Sequence, residues 1–220
     1  MCRDKAHGGR RCPSCNKERH AAAERIRHRR ELYEDFSTRI EPALARAQRD
    51  GLSTDKQYQT ETIINGTTIL VWDEKRAIIH REIVNQLLEK YKDVPREHNA
   101  IMSGGLGGAG KTTVLSKHTP WNPENFATVN PDDIKEIMAK RGLIPTVTTG
   151  KGREKLSPME ASPLVHEEAS HISKLLAAEL MNRGTNIIYD VTMGGLPSTE
   201  KKIQALKGSG YKVTGVFVDI

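Results

Sequence analysis

The sequence predicts an α/β protein in which a parallel sheet is flanked by helices and preceded by a helical N-terminal extension. Three observations carry this prediction. From Ala100 onward, short apolar runs alternate with helical stretches, the grammar of a parallel sheet covered on both faces. The first apolar run, Ala100 to Ser103, leads into a glycine-rich segment that opens a helix. Before that point the pattern is mainly helical, and no internal repeat interrupts it.

Residues 1–16 are rich in Gly, Arg, Cys and Pro, lack periodicity and read as a loop or small knot. Strong helix formers from about Asn16 to Ala47 predict a helix that Pro42 breaks or restarts. Asn65-Gly66 between two β-prone runs predicts a hairpin. Glu74 to Lys92 reads as an amphipathic helix whose apolar face holds Ile78, Ile79, Ile83, Leu87, Leu88 and Tyr91. After the glycine segment come a helix from Lys111 to Lys117 and a strand from Phe126 to Val129. Asn130 then caps a helix with Pro131 at its first position and Gly142 as its stop. Residues 143–163 form an excursion, Leu164 to Asn182 a long helix, Asn186 to Tyr189 a strand, and Thr199 to Leu206 a helix. A core strand is expected from Tyr211 to Asp219. The chain stops at the end of that strand, which suggests further sequence beyond it. The expected division is a basic Cys/His arm over 1–30, a mainly helical extension over 31–95, and an incomplete α/β domain over 96–220.

The charge is uneven. Residues 1–30 hold ten Lys or Arg against Asp4, Glu18 and Glu24, a balance of +7, so the remainder carries −1 of the overall +6. Two readings fit the arm: contact with nucleic acid or another polyanion, and a solvated tail. The chain has no run of eighteen apolar residues and no signal-peptide stretch at its basic N-terminus, so a cytoplasmic protein without a membrane span is expected. Its three cysteines lie within the first fifteen residues and cannot staple a fold. Cys12 and Cys15 form a C-x-x-C pair that Cys2 with His7 or His20 could complete as a Zn²⁺ site; reduced thiols are the alternative.

Gly105-Leu106-Gly107-Gly108-Ala109-Gly110-Lys111-Thr112 fits the phosphate-binding pattern G-x-x-x-x-G-K-[ST] in its required setting after a strand and before a helix. Glycines let backbone N–H groups surround phosphates, and the helix adds its positive end. Binding of ATP or GTP through Gly105 to Thr113 follows, with Lys111 on the β- and γ-phosphates and Thr112 on Mg²⁺. Two carboxylate positions follow other strands. Asp132 and Asp133 suit either the positive end of their helix or a base that accepts a hydroxyl proton. Asp190 suits either a Walker B position near Mg²⁺ or an ordinary strand-end cap.

The ordered set S-G-G-L-G-G-A-G-K-T-T, V-N-P-D-D-I-K, a long helix and N-I-I-Y-D-V-T resembles the zeta toxins of epsilon/zeta toxin–antitoxin systems over roughly residues 80–220. The resemblance implies a P-loop kinase fold and ATP-dependent phosphorylation of UDP-N-acetylglucosamine on a sugar hydroxyl. It makes Lys111 the phosphate-binding lysine and Asp132 the catalytic base, the second acid of a D-x-D-x-x-[KR]-like motif whose first position is Asn130 here. Asp190 stands where the family usually has glutamate, followed by Thr192. The family's lid arginines correspond to sequence beyond Ile220. The resemblance also implies an antitoxin partner that covers the nucleotide site, a role that residues 17–92 could play in cis. Glu167 and Glu168 are candidate sugar contacts or helix-terminal charges, and His166 and His171 read as surface or packing residues. Two other functions stay open: a P-loop kinase acting on a nucleotide or polynucleotide end, and a nucleotide-binding module without transfer.

Overall fold

The structure, a computed structural model, describes residues 13–105, 110–150, 154–190 and 196–218. Helix α1 spans Pro13–Asp35 and begins earlier than the sequence pattern suggests. Its proline occupies the first turn, where the missing N–H costs nothing. It is solvent-exposed, with Arg27–Glu31 and Arg30–Glu34 pairs one turn apart. One π-helical turn, Phe36–Ile40, carries the chain into α2, Glu41–Arg49, with Pro42 in its first turn as the restart reading requires. Helix α2 buries Ala43, Leu44 and Ala47 against Val147, Leu156 and Ala161 of the excursion and Leu164 just after it. Arg39 binds the same excursion through Glu154 and Glu160 while also pairing with Asp35.

After the short helix α3, Thr54–Tyr58, strands β1 (Gln59–Ile64) and β2 (Thr67–Trp72) form an antiparallel hairpin. Its turn is Asn65-Gly66 with φ of 49° and 76°, the left-handed pair that this dipeptide favours. Helix α4, Glu74–Lys90, starts at Asp73, whose carboxylate accepts a hydrogen bond from the Arg76 N–H at 2.7 Å. Ile83, Val84, Leu87 and Leu88 enter the main core. Ile78 does not: it is 43% exposed, and the polar Arg76 and His80 take buried positions instead.

Four parallel strands make the main sheet: β3 (Asn99–Gly104), β4 (Ala127–Val129), β5 (Ile187–Asp190) and β6 (Lys212–Phe217), in the order β4-β5-β3-β6. On one face Ala100, Met102, Ala127, Val129 and Ile187 pack on α4, α6 (Pro131–Lys140), α7 (His166–Asn182) and α8 (Leu196–Gly208). On the other, Ile101 and Ile188 pack with Phe126 and with Leu115 of α5 (Lys111–His118). The helix-covered parallel sheet of the sequence reading is therefore present. The final strand joins the sheet beside β3, with Val213 packed against the main core. Strand β6 pairs only with β3 among the described strands, and Phe217 at its end is 66% exposed.

The core also encloses a polar knot. His80 Nε2 and Glu168 Oε1 are 2.8 Å apart in a buried hydrogen bond that ties α4 to α7, and the Arg76 guanidinium lies 3.5 Å from the same oxygen. The His80 and His171 rings pack around Trp72, with centroids 5.0 and 5.7 Å from it. Burial, then the charges of His80 and Lys174, hold the His171 imidazole below its usual range against the opposing effect of Glu168. The unfolded chain therefore takes up this proton first as pH falls below about 6.5, so folding stability declines through that window. Urea midpoints compared at about pH 7.5 and 5.5 should fall less in His171→Gln than in the parent protein. Equal falls in the two proteins would exclude His171 as the source.

Candidate active site

Register places the site. Ser103 lies opposite Asp190 on one side and Val216 on the other, and Val129 lies opposite Tyr189. The segments that follow β3, β4 and β5 therefore leave the sheet at one carboxyl edge. The connection from β3 leads to β4 on one side, while that from β5 leads to β6 on the other. A crevice opens where adjacent strands diverge in this way, and ligands of open α/β sheets bind there. Ser103 is fully buried and its hydroxyl donates to the Tyr189 carbonyl at 3.2 Å, clamping β3 to β5 at that point.

Gly105 has φ of 131°, and a Cβ added there would run into the Val218 carbonyl oxygen. Gly110, at φ 79° and ψ 23°, turns the chain into α5 from the left-handed region. Only glycine takes these two positions without strain. Leu106, Gly107, Gly108 and Ala109 lie outside the described residues. Lys111 Nζ donates to the Gly105 carbonyl at 3.2 Å, so the ammonium folds back across the base of the loop. Thr112 and Thr113 follow in the first turn of α5, where Thr113 is exposed.

Asn130 leaves β4 and caps α6, its side-chain oxygen accepting from the Asp132 N–H at 2.9 Å. Asp132 is 75% exposed on the first turn and pairs with Lys135 at 2.8 Å. Asp133 is also exposed. Asp190 ends β5 at the level of Ser103. Val191 and Thr192 lie outside the described residues.

The two glutamates at the start of α7 part company. Glu168 is buried in the polar knot with His80, while Glu167 is exposed and lines a groove. This groove, about 590 Å³, runs between α7 and α8 from Pro131, beside Asp132. Its walls include His166, Glu167, Lys174, Lys201 and Lys202, with Tyr189 beneath. Burial pushes the Tyr189 phenol up to about 12. The lysines were not legible as site residues, because a Lys-Lys pair on a helix reads as a solvated face.

Cys2, His7 and Cys12 lie outside the described residues, and Cys15 is in the first turn of α1. Among the described residues no group of three or more His, Cys, Asp and Glu could hold a metal ion, and no helix is long and apolar enough to cross a membrane.

The zeta toxin family model matches residues 84–219, more than half of the chain. The chain belongs to the zeta toxin family. No curated protein matches the sequence. Among solved structures, the AvrRxo1-ORF1:ORF2 complex with ATP aligns with a TM-score of 0.52 at 20% identity, covering 76% of this chain and 55% of that one. The same complex with sulphate ions gives 0.51 at 20%, with coverage of 76% and 55%. The PezAT chromosomal toxin–antitoxin system of Streptococcus pneumoniae gives 0.50 at 17%, covering 67% of this chain and 57% of that one. This chain thus spans a little over half the length of each. The likenesses show a shared fold, the P-loop kinase-like α/β fold that the family assignment carries.

Gly105→Ala should weaken ATP binding about tenfold or more, since the new Cβ must displace backbone at the loop's entrance. Gly51→Ala, in a remote turn with φ of 73° and open space around it, is the control for left-handed strain alone. Titration of ATP into both variants checks this, and equal affinities would exclude the steric argument.

Proposed function

We propose that this chain is an ATP-dependent kinase that transfers the γ-phosphate to a sugar hydroxyl of a UDP-amino sugar, UDP-N-acetylglucosamine. The observation that carries the reading is convergence at one edge. Gly105 and the start of α5 follow the carboxyl end of β3, Asp132 lies in the first turn of the helix that follows β4, and the α7–α8 groove reaches Pro131, the residue before Asp132. Family membership supports kinase chemistry, and an ATP complex of a solved neighbour supports the donor.

In this reading residues 96–220 form the catalytic domain, residues 31–95 the helical extension and residues 1–30 the basic arm. Backbone N–H groups of Gly105, Leu106, Gly107, Gly108, Ala109 and Gly110 hold the donor phosphates, with Thr112 and Thr113 at the helix start. Lys111, already at the loop, neutralises charge on the β- and γ-phosphates. Asp132, exposed in the first turn of α6 and next in sequence to the groove-lining Pro131, takes the acceptor's hydroxyl proton as the oxygen–phosphorus bond forms and the bond to ADP breaks. Lys135 beside it keeps a counter-charge within 2.8 Å of that carboxylate. Thr112, in the first turn of α5, and Asp190, the last residue of β5, would supply a hydroxyl and a carboxylate, hard oxygen donors of the kind that suit Mg²⁺. When bound, that ion supplies charge neutralisation of the transferring phosphate. Most of the acceleration then comes from positioning and electrostatics.

The solved neighbours are toxin–antitoxin and ORF1:ORF2 complexes, which supports a restraining antitoxin for this chain as well. A second acceptor class, a nucleotide or polynucleotide end, draws on the exposed Arg25, Arg27, Arg29 and Arg30 of α1. Salt-dependent nucleic-acid binding that vanishes on deleting residues 1–30 is its signature.

The deciding experiment follows ATP consumption with UDP-N-acetylglucosamine and identifies the product by mass spectrometry. A phosphorylated sugar nucleotide is expected, and Asp132→Asn should lower its rate by about a hundredfold or more. Full activity in Asp132→Asn would remove Asp132 from the mechanism. ATP binding without a phosphorylated sugar would remove the acceptor.

A further inference from the structure

The β1–β2 hairpin carries apolar side chains on both of its faces. Register puts Ile63, Leu70 and Trp72 on one face and Ile64, Ile69 and Val71 on the other. Every residue from Thr60 to Val71 is exposed, Ile63 by 73% and Leu70 by 61%. A run such as Ile69-Leu70-Val71-Trp72 is the pattern of a strand covered on both sides, and a two-stranded hairpin alone is marginally stable in water. Among the described residues no third strand pairs with either edge.

The two edges differ. Strand β1 carries Glu61 near its middle, whereas Thr67 to Val71 of β2 contains no charge and no proline, the devices that keep an exposed edge from pairing. The Asp73 N–H donates to the Tyr58 carbonyl at 2.8 Å. Alternation along the ladder from that bond turns the backbone groups of Ile69 and Val71 toward β1 and those of Thr68 and Leu70 outward. A hollow of about 410 Å³ also borders β2 and not β1. Its apolar walls are Leu70, Val71 and Trp72, with Ala77 of α4 and Leu175 of α7. A strand added to β2 thus satisfies outward N–H and C=O groups on the side of the hairpin that borders this hollow.

Strand β2 is its own complement. Set antiparallel to a copy across a two-fold axis at Leu70, it places Leu70 against Leu70, Ile69 against Val71 and Thr68 against Trp72 of the copy, each pair on one face. Leu70 then takes a hydrogen-bonded position, as its outward backbone requires. No like charges meet at this edge. A second pairing through the centre of β1 would bring Glu61 beside its own copy, so the assembly closes at two chains. The five exposed aliphatic residues of the hairpin and Leu175 present about 500 Å² of apolar surface, a large share of the roughly 800 Å² that each partner covers in a stable dimer. We propose that the outer edge of β2 is a homodimer interface, where two copies of this chain join their hairpins into one four-stranded antiparallel sheet.

Sedimentation velocity of the full chain over a concentration series tests this, and a reversible monomer–dimer equilibrium without larger species is expected. Leu70→Lys sets two ammonium groups against each other at the axis. Thr68→Pro removes an outward N–H and leaves the β1 ladder whole. Each should weaken the dimer about tenfold or more, while Thr62→Lys, the same charge placed on β1, should leave its dissociation constant in place. Far-UV circular dichroism and ATP affinity of the dilute variants should match the parent. Leu70→Cys, when oxidised, should trap a covalent dimer in far greater yield than the parent or Thr62→Cys. A parent chain that stays monomeric at every concentration overturns the interface and leaves the edge to a strand of another protein. Dimers that persist in both Leu70→Lys and Thr68→Pro, oligomers that keep growing with concentration, or equal cross-linking of Leu70→Cys and Thr62→Cys overturn it as well.

Discussion

The parallel pairing of β3 with β5 sets Ser103 opposite Asp190, and the buried Ser103 hydroxyl closes on the Tyr189 carbonyl at that level. Because β4 follows the same register on the far side of β5, the glycine loop, Asp190 and Asn130 leave the sheet together. No contact at the edge itself is needed for this. The backbone ladder sets the height of each strand end, and the side chains of the site inherit it. The polar residues at the edge can then be exposed, as Asp132 is, without loss of placement.

Much of this was legible because local chemistry dictates it. Asn65-Gly66 accepts the left-handed turn of a hairpin, Asn130-Pro131 starts a helix by a cap and a fixed φ, and Gly142 and Gly184 end helices at φ of 66° and 68°. The glycine loop is legible for the same reason, since its backbone tolerates little else. What the sequence concealed depends on residues far apart. His80 and Glu168 bond across 88 positions, so neither pattern around them signals a buried polar knot. Ile78 looked like core by spacing, yet the buried arc of α4 turns toward Arg76 and His80 because Glu168 waits there. The lysines of the groove come from two helices that meet only in the folded chain. The place of β6 beside β3 follows from strand order, which no single strand reveals.

The segment before the family match is not an appendage. The match begins at Val84, in the middle of α4, while Arg76, His80 and Ile83 of the same helix contribute to what that match encloses. Helix α2 is likewise fastened to the excursion between α6 and α7 by Ala43, Leu44 and Ala47 and by Arg39. Among the described residues of this segment, α1 and the hairpin remain largely uncovered. The hairpin shows Ile63, Ile64, Ile69, Leu70 and Val71 to solvent from both of its faces, and Trp72 alone anchors it in the core.

Strand order also has a consequence for how the molecule comes into being. Strand β5 lies between β3 and β4, although it follows both in the chain. On a ribosome the glycine loop and Asp132 emerge early, but their two strands have no direct pairing to hold them at one level. They come into register only when β5, arriving after the long helix α7, inserts between them. Such non-local parallel pairings close late in folding. The glycine loop and Asp132 are thus made separately and brought to one level by the strand that also carries Tyr189 and Asp190, so in a nascent chain that ends before β5 they are not yet held together.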